Sequence, residues 1–241
     1  MKAIICAAGQ GKRLLPLTKD FPKALVRIKS KTIIEYMLDN FSLCGLNEVI
    51  ITIGYKADKV KEKLGKQYKN CHIKYIYNKD YSKSDNLFSL YLAKNYVKSG
   101  MIFFNSDILF HKNVLSKVIK SNSPDSFIVN NNIVDEEDCM RVNLKNGELN
   151  EIGKHISKKT HCEAFGIYKL SKSTTKKYFK IAESMFKKAG HKNISFVSPL
   201  NKLSLDTSLI PISCGNYKWA EIDNIKDYER ANKLIEAVLK K

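Results

Sequence analysis

Residues that could bind a polyanion are concentrated near the start of the chain, in the stretch AIICAAGQGKRLLPLTKDFPKAL from Ala3 to Leu25. Its first residues are apolar up to Ala8, a pattern typical of a strand buried on both faces of a parallel sheet. Gly9 and Gly11 then allow the backbone to approach an anion closely and to turn its N–H groups toward phosphate oxygens. The stretch therefore predicts a phosphate-binding turn at the end of a buried strand.

Two basic side chains follow the glycines and could hold the same anion. Arg13 offers a planar, two-pronged donor, and Lys23 offers a point charge. Pro16 and Pro22 stiffen the loop between them, so Lys23 is presented from a constrained segment. The glycine spacing is neither that of a Walker loop nor that of a dinucleotide fingerprint, so the glycines alone do not identify the ligand.

Two aspartates stand where a divalent cation could be held. Asp107 ends a strand-like run in NSDILF, and Asp223 follows a late strand in WAEIDNIKDY. Mg²⁺ prefers carboxylate oxygens together with water and phosphate oxygens. A structural alternative stays open for each residue, namely a strand-end turn for Asp107 and a helix N-cap for Asp223.

The hydrophobic pattern predicts an α/β fold. In the first 110 residues, predicted strands at 3–8, 48–53, 73–77 and 101–104 alternate with predicted helices at 33–44, 57–64 and 86–96. Such βα units favour a Rossmann-like, doubly wound, mostly parallel sheet with ligands at the carboxyl ends of its strands. Beyond residue 126 the pattern predicts an inserted small β-rich lobe, with strands at 126–129, 140–144, 149–152, 164–170, 209–214 and 218–222, a hairpin turn at 145–148, and helices at 172–189 and 225–239.

The composition limits the class of protein. The 241 residues are 44% apolar, which suffices for a substantial core. The net charge of +18 comes from lysines spread over nearly every segment, so we expect no nucleic-acid partner. Six scattered cysteines without a C-x-x-C pair predict free thiols in the cytoplasm. The lack of a long apolar segment or a signal peptide predicts a protein without a membrane partner.

The string A-A-G-x-G-x-R-L-x-P-L-T, followed by F-P-K-A-L, resembles the signature of the nucleotidyltransferases that make nucleoside-diphosphate sugars and CDP-alcohols. In that family the loop wraps the triphosphate of an incoming NTP. The resemblance implies Mg²⁺ as cofactor, with Asp107 and Asp223 as its ligands. It implies catalytic roles for Arg13, Lys23, Asp107 and Asp223, and nucleotide contacts from Ala7, Ala8, Gly9, Gly11, Arg13 and Lys23. The chain departs from the D-x-D motif of many relatives, because Asn105 stands at the first position.

A second stretch bears on the choice of nucleobase. Residues 81–93, YSKSDNLFSLYLA, resemble the corresponding segment of phosphocholine cytidylyltransferases and related enzymes that use CTP. The match implies that Asn86 reads the cytosine edge, which suits an amide that offers both a donor and an acceptor. A helix cap is the structural alternative for Asp85 or Asn86. The implied nucleotide contacts outside the first loop are Gly54, Tyr55, Asp85, Asn86, Ser89 and Ser106.

The resemblance is weakest over residues 131–208, where the second substrate would bind. Lys154, Glu163 and Glu221 are the candidate contacts to a phosphorylated acceptor. A single domain over residues 1–241 then divides into three parts: a nucleotide-binding core (1–130), an acceptor-binding region (131–215), and a final part with a metal-binding aspartate and a helix (216–241).

The sequence thus predicts a Mg²⁺-dependent cytidylyltransferase that joins CTP to a small phosphorylated acceptor and releases pyrophosphate. The acceptor could be phosphocholine-like, a phospho-amino compound, a phosphonate or a polyol phosphate. A role in cell-surface polysaccharide biosynthesis rests on the resemblance alone. One alternative is a sugar-1-phosphate uridylyl- or thymidylyltransferase, and another is a non-catalytic nucleotide- or nucleic-acid-binding protein on the same fold. The oligomeric state stays open, a homo-oligomer included.

Overall fold

The computed structural model describes residues 1–132, 139–156, 159–190 and 194–240. In the first half of the chain, the elements are β1 (Lys2–Ala7), β2 (Arg27–Ile28), β3 (Lys31–Thr32), α1 (Ile33–Leu43), β4 (Glu48–Ile53), α2 (Ala57–Leu64), β5 (Gln67–Tyr68), β6 (Cys71–Tyr77), α3 (Asn86–Tyr91), β7 (Met101–Asn105), β8 (Ile108–Phe110) and α4 (Lys112–Lys120). The second half comprises β9 (Ser126–Asn130), β10 (Met140–Lys145), β11 (Glu148–Gly153), β12 (Cys162–Leu170), α5 (Lys172–Ala189), α6 (Val197–Leu203), β13 (Ile210–Ser213), β14 (Trp219–Glu221) and α7 (Ile225–Leu239).

The centre of the sheet is parallel. Its strands lie in the order β7-β1-β4-β6, and each neighbouring pair runs in the same direction. The strand order changes direction at β1, so the loop after this strand emerges at the middle of the carboxyl edge. In open α/β sheets, ligands bind at such a point.

The middle region of the chain extends this sheet. β12 runs antiparallel to β7, with Ile167 opposite Phe104, and it also pairs with β10 and β9. The predicted hairpin turn is confirmed between β10 and β11. Asn146 and Gly147 both have positive φ angles there, of 54° and 80°, as a tight two-residue hairpin turn requires.

Apolar side chains on both faces bury the sheet. Ile5 of β1 belongs to the cluster formed with α1, α4 and α7, whereas its neighbour Ile4 belongs to the cluster formed with α3, α5 and α6. Because successive strand residues point to opposite faces, a strand covered on both sides needs a continuous apolar run. This arrangement confirms the predicted α/β class and the mostly parallel, doubly wound sheet.

Some local predictions differ from the structure. The helix predicted at 86–96 ends at Tyr91 and is followed by a separate 3₁₀ helix, Lys94–Tyr96. Helix α4 was not predicted, because its N-cap is His111, whose Nδ1 accepts from the Asn113 N–H at 3.1 Å. Histidine is not among the residue types that usually mark a helix start, so the sequence carries no clear signal there.

Two general expectations can be compared with the described residues. All six cysteines are free, and Cys71, Cys162 and Cys214 are buried, as expected of structural thiols. Within the described parts of the chain, no helix combines the length and the apolar character needed to traverse a bilayer.

The Asp39 side chain connects helix α1 to strand β3 and to the segment at Tyr68 and Lys69. From α1, its carboxylate pairs with Lys31 of β3 and with Lys69 Nζ at 2.5 Å, and it accepts from the Tyr68 hydroxyl at 3.3 Å. Burial alone would raise the pKa of Asp39, but the hydrogen bonds from the two lysines outweigh burial, and the net pKa lies below its usual value.

We expect Asp39→Asn to lower the free energy of unfolding by about 1 kcal/mol at pH 7, because both lysines are partly exposed and such pairs contribute little more. The folded-state pKa is depressed, so the contribution is complete above the ordinary aspartate value of about 3.9. It disappears as the pH falls through the folded-state value. Urea unfolding should therefore show a smaller difference at pH 3 than at pH 7. Asp58→Asn, whose carboxylate is 97% exposed, is the matched control, and an equal loss in both variants would contradict the account.

Candidate active site

A two-stranded ribbon outside the main sheet brings Asp107 and Asp223 together. β8 begins directly after Asp107, and β14 ends two residues before Asp223. These strands pair antiparallel, with Glu221 opposite Ile108. The Ile222 N–H also donates to the Asp107 carbonyl oxygen at 2.9 Å. The pairing holds the two backbone segments, and therefore the two carboxylates, side by side.

Lys23 lies between these carboxylates. Its Nζ donates to Asp107 Oδ2 at 2.6 Å and to Asp223 Oδ1 at 2.5 Å. Arg13 Nη2 lies 3.1 Å from the other oxygen, Asp223 Oδ2. The Lys23 side chain is only 12% exposed, whereas that of Arg13 is 51% exposed. These four residues form one ion-pair network, which we call the carboxylate network.

Burial and neighbouring charges set the protonation of the network. Burial alone would lower the pKa of Lys23, but the charges of Asp107 and Asp223 outweigh burial and raise it. Burial would raise the pKa of Asp223, but Lys23 and then Arg13 outweigh it, so the net pKa lies below its usual value. Glu221 differs, because burial, reinforced by both aspartates, raises its pKa well above the usual range. These surroundings favour the charged forms of Lys23 and Asp223, whereas those of Glu221 favour its protonated form.

The carboxyl groups fit a divalent cation. One oxygen atom each from Asp107, Glu221 and Asp223 lie within 4.8 Å of one another. Asp107 Oδ1 is buried, and among the described residues it has no hydrogen-bond partner. A buried, unsatisfied carboxylate oxygen is costly unless a ligand or an ion contacts it. Carboxylate oxygens are the ligands that Mg²⁺ prefers, so the residues present suit this ion.

The loop after β1 packs directly on Lys23. Gly11 has a φ of +75°, and a Cβ added there would lie 2.9 Å from the Lys23 Cβ, so both backbone conformation and space require glycine. The Thr18 hydroxyl donates to the Gly11 carbonyl at 2.8 Å, and the Tyr55 N–H donates to the Ala8 carbonyl at 3.0 Å. The loop is therefore held in place before any ligand binds.

A cleft of about 770 Å³ opens between this loop and the carboxyl ends of the strands. The carboxylate network forms part of its wall. The predicted site residues that line the cleft are Ala8, Gly9, Gly11, Arg13, Lys23, Asp85, Asn86, Ser89, Ser106, Asp107, Lys154, Glu221 and Asp223. The fold thus brings together residues that are widely separated along the chain.

Four predicted site residues do not line this cleft. Ala7 is buried at the end of β1, and Glu163 lies in the wall of a second cavity. Gly54 and Tyr55 pack against the loop after β1, where the Tyr55 N–H donates to the Ala8 carbonyl. A Cβ on Gly54 would lie 2.4 Å from the Tyr81 Cβ, and the Tyr55 ring packs edge-on against the Tyr81 ring at 6.3 Å. Gly54 and Tyr55 therefore support Tyr81, which lines the cleft.

Asp85 and Asn86 combine a structural position with exposure to the cleft. Asp85 is the N-cap of α3, and its Oδ1 accepts from the Asn86 N–H at 2.6 Å. The Asn86 side-chain oxygen accepts from the Phe196 N–H at 3.1 Å. In the described part of the chain, the Asn86 amide nitrogen has no acceptor. Ser89 is buried, and its Oγ accepts from Asn78 Nδ2 at 2.9 Å.

The sequence did not assign several residues that line the cleft. They are Cys6, Lys12, Tyr81, Ser84, Asn105, Met140, His155, Ala164, Gly166, Tyr168, Ser195, Phe196 and Val197. For Gly166 a signal existed, since a glycine inside a strand pattern often marks a close approach. A Cβ there would lie 2.9 Å from the Asn105 Cβ. Residues 195–197 carried no such signal.

A second cavity of about 590 Å³ adjoins the cleft. Both are lined by Met140, Ala164, Glu221 and Asp223, so they meet at Asp223, one member of the carboxylate network. In the second cavity, Glu163 is 2% exposed and its Oε1 accepts from Asn130 Nδ2 at 2.8 Å. Trp219 also lines this cavity and stacks on Phe165, with 4.2 Å between the ring centroids.

The fold and the site together define a class of protein. A parallel α/β sheet whose first loop faces paired carboxylates and a deep cleft suits the phosphates of a nucleotide. The comparison with protein families agrees, because the model for the family described as nucleotidyl transferase matches residues 2–139. The chain belongs to the nucleotidyl transferase family.

Individual relatives resemble the chain to different extents. It is 28% identical to a CTP:phosphoglutamine cytidylyltransferase of Campylobacter jejuni, over 95% of this chain and 98% of that protein. It is 38% identical to a choline-phosphate cytidylyltransferase of Streptococcus pneumoniae, over 46% of each chain. The solved CTP:phosphocholine cytidylyltransferase of Streptococcus pneumoniae superimposes with a TM-score of 0.75 at 22% identity, over 97% of this chain and 98% of that chain. The inositol-1-phosphate CTP transferase of T. maritima superimposes with a TM-score of 0.80 at 23% identity, over 98% of this chain and 95% of that chain. These structures show the shared fold.

Proposed function

We propose that the protein is a cytidylyltransferase that joins CTP to a small phosphorylated acceptor and releases pyrophosphate. The observation that carries the proposal is the position of the carboxylate network, where the loop-lined cleft meets the second cavity. Two substrates in these cavities would have their phosphates side by side at the network. The similarity to a CTP-using enzyme over nearly the whole chain supports CTP as the nucleotide.

The reaction requires positioning and positive charge. An oxygen of the acceptor phosphate attacks the α-phosphorus of CTP and forms a new P–O bond. The bond from the α-phosphorus to the oxygen that bridges to the β-phosphate breaks, and pyrophosphate leaves with the electron pair. Two anions approach each other while charge builds on the leaving group, so cations and fixed N–H donors lower the barrier. The backbone at Gly9 and Gly11, together with Arg13 and Lys23, supplies such groups.

Mg²⁺ would be held by Asp107 and Asp223, with Glu221 beside them. When bound, the ion would neutralise phosphate charge during transfer. Lys154 lines the same cleft, and its charge acts to lower the pKa of both Asp223 and Glu221. This position suits a contact to the phosphate of the acceptor.

The orientation of the Asn86 amide supports cytosine as the base of the nucleotide. Because its oxygen is occupied by the Phe196 N–H, the amide nitrogen is the group that can face a base, and it can only donate. The N3 atom is a hydrogen-bond acceptor in cytosine and a donor in uracil. A donor that faces N3 therefore favours CTP over UTP.

We expect Asn86→Ala to reduce the preference for CTP over UTP at least tenfold while lowering turnover with CTP by less than that factor, since a missing hydrogen bond in a base pocket is worth about 1–3 kcal/mol. Competition between the two nucleotides at equal concentration measures the preference. Asn86→Asp is the informative companion, because it keeps the size of the side chain but replaces the donor. If both variants kept the same preference for CTP over UTP as the unchanged protein, Asn86 would not take part in base recognition.

The second cavity is the proposed acceptor site. Glu163 and Trp219 form part of its wall, and a cavity lined by a buried carboxylate and an aromatic ring suits a polar or cationic head group. In this proposal, residues 1–130 bind the nucleotide, 131–215 bind the acceptor, and 216–241 contribute Asp223 and the last helix. Residues 133–138, 157–158 and 191–193 of the acceptor-binding part lie outside the described residues. We place the reaction in the cytoplasm, because the cysteines are free.

A pyrophosphate-release screen tests the proposal. CTP, UTP, dTTP, ATP and GTP are each combined with Mg²⁺ and with phosphorylated amines, amino-acid derivatives, phosphonates, polyol phosphates and sugar phosphates. We expect the highest rate with CTP and one class of acceptor. The highest rate with UTP or dTTP and a sugar 1-phosphate would establish the alternative reaction. No turnover, together with a salt-sensitive complex with tRNA or single-stranded DNA, would favour a nucleic-acid-binding protein.

A further inference from the structure

Lys23 stands where the proposed divalent cation would bind. Its ammonium group contacts Asp107 Oδ2 at 2.6 Å and Asp223 Oδ1 at 2.5 Å, and these two side chains are the proposed metal ligands. A bound Mg²⁺ needs carboxylate oxygens at about 2.0–2.1 Å, and two cations this close would repel each other strongly. Lys23 in this position and a metal ion that is coordinated by the same two oxygens therefore exclude each other.

The geometry of Lys23 allows its ammonium group to change partners while its stem stays in place. The residue begins a 3₁₀ helix directly after Pro22. Its Cβ, Cγ and Cδ atoms pass so close to Gly11 that a Cβ added there would lie 2.9, 3.1 and 3.2 Å from them. Gly11 belongs to the loop that is proposed to bind the triphosphate. Rotation about the terminal bonds of Lys23 would carry the ammonium group from the carboxylates toward phosphate oxygens beside this loop.

We propose that Lys23 is an exchangeable counter-ion that reserves the metal site for the nucleotide complex. In the free protein its ammonium group pairs with both aspartates, and on nucleotide binding it transfers to the triphosphate, which opens the site to the divalent cation. This inference rests on the proposed metal site and goes beyond the phosphate-binding role of Lys23. It makes metal binding and nucleotide binding positively coupled, so each increases the affinity for the other.

The coupling is expected to be large because the network is mostly buried. A metal ion that arrives alone must displace the ammonium group without giving it a new anion, and an unpaired cation in a largely buried site is costly. A triphosphate supplies that anion. Arg13 is a weaker competitor for the metal site, because it pairs with Asp223 from a side chain of which half is exposed.

Metal binding without nucleotide provides the first test. The probe is Mn²⁺, which shares the preference of Mg²⁺ for oxygen ligands. Electron paramagnetic resonance measures the concentration of free Mn²⁺. We expect Lys23→Met, which keeps an unbranched stem, to bind Mn²⁺ at least tenfold more tightly than the unchanged protein. Lys12→Met is the matched control for loss of one charge. Lys12 lines the same cleft, and in the described structure it forms no ion pair with Asp107 or Asp223. The Mn²⁺ affinity of Lys12→Met should therefore differ from that of the unchanged protein by less than about twofold.

Equal Mn²⁺ affinity in Lys23→Met and the unchanged protein would overturn the inference while leaving the metal site intact. An absence of Mn²⁺ binding in all three proteins would overturn the metal site as well. Neither result depends on turnover of CTP, so the failure of the inference and the failure of the proposed reaction are distinguishable.

The second test uses the unchanged protein and does not require a variant to fold. Brief acetylation with acetic anhydride, followed by peptide mass spectrometry, measures how readily each lysine reacts. Pairing with two carboxylates should protect Lys23, so we expect saturating Mn²⁺ without nucleotide to accelerate its acetylation at least threefold relative to Lys12. An unchanged rate at saturating metal would show that Lys23 is not displaced and would overturn the inference.

Discussion

Asp107→Asn is expected to lower kcat by about 10³-fold, because it removes the charge from a proposed metal ligand whose effect on the transferred phosphate is worth several kcal/mol. Asparagine has nearly the same shape, and the backbone bond between the Ile222 N–H and the Asp107 carbonyl is retained. We therefore expect the variant to stay folded. Steady-state pyrophosphate release with the best acceptor measures kcat, and urea unfolding measures stability.

Asp206→Asn is a suitable control for this variant. Asp206 is 66% exposed, pairs with Lys177, and does not line the cleft. The kcat of Asp206→Asn should therefore stay within about twofold of that of the unchanged enzyme. If Asp107→Asn kept more than a tenth of the original kcat at saturating Mg²⁺, the assignment of Asp107 as a metal ligand would be wrong.

Lys23→Ala is expected to lower kcat/KM by about 10²–10³-fold, the effect of removing one donor that stabilises developing charge. The variant loses the ammonium group that is proposed to bind the phosphates. Its carboxylates then take up metal more readily, so added Mg²⁺ should not restore the rate. Initial rates at several Mg²⁺ concentrations separate the loss of phosphate binding from a simple change in metal affinity.

Lys19→Ala is the matched control, because Lys19 lies in the same loop, is exposed, and does not line the cleft. Its kcat/KM should change less than about twofold. Recovery of the Lys23→Ala rate by high Mg²⁺, to within tenfold of the unchanged enzyme, would show that Lys23 acts only through the metal site.

Predictions from local sequence signals agree well with the structure. The strand Glu48–Ile53 and the helices Ala57–Leu64, Lys172–Ala189 and Ile225–Leu239 have the predicted bounds. The hairpin turn at Asn146 and Gly147 also matches. Each of these depends on hydrophobic period, capping residues or turn residues, which are properties of neighbouring positions in the chain.

Features that depend on distant pairing were not predictable from the sequence. The ribbon of β8 and β14 places Glu221 beside the two aspartates, although the sequence suggested only a contact to the acceptor. Gly54 and Tyr55, which the sequence suggested as nucleotide contacts, pack against Tyr81, and it is Tyr81 that lines the cleft. The position of Lys23 between two carboxylates likewise results from packing between remote segments. No local pattern encodes such distances.

The measurement that tests the central proposal most directly follows the α-phosphate. CTP labelled with ³²P at the α-position is incubated with the protein, Mg²⁺ and the acceptor that gives the highest rate in the screen. The account predicts that the label appears in a CMP–acceptor conjugate, with one pyrophosphate released per conjugate, and that Asp107→Asn nearly abolishes the product. Label found in free CMP would contradict it, and so would transfer that occurs only when α-³²P-labelled UTP replaces the labelled CTP.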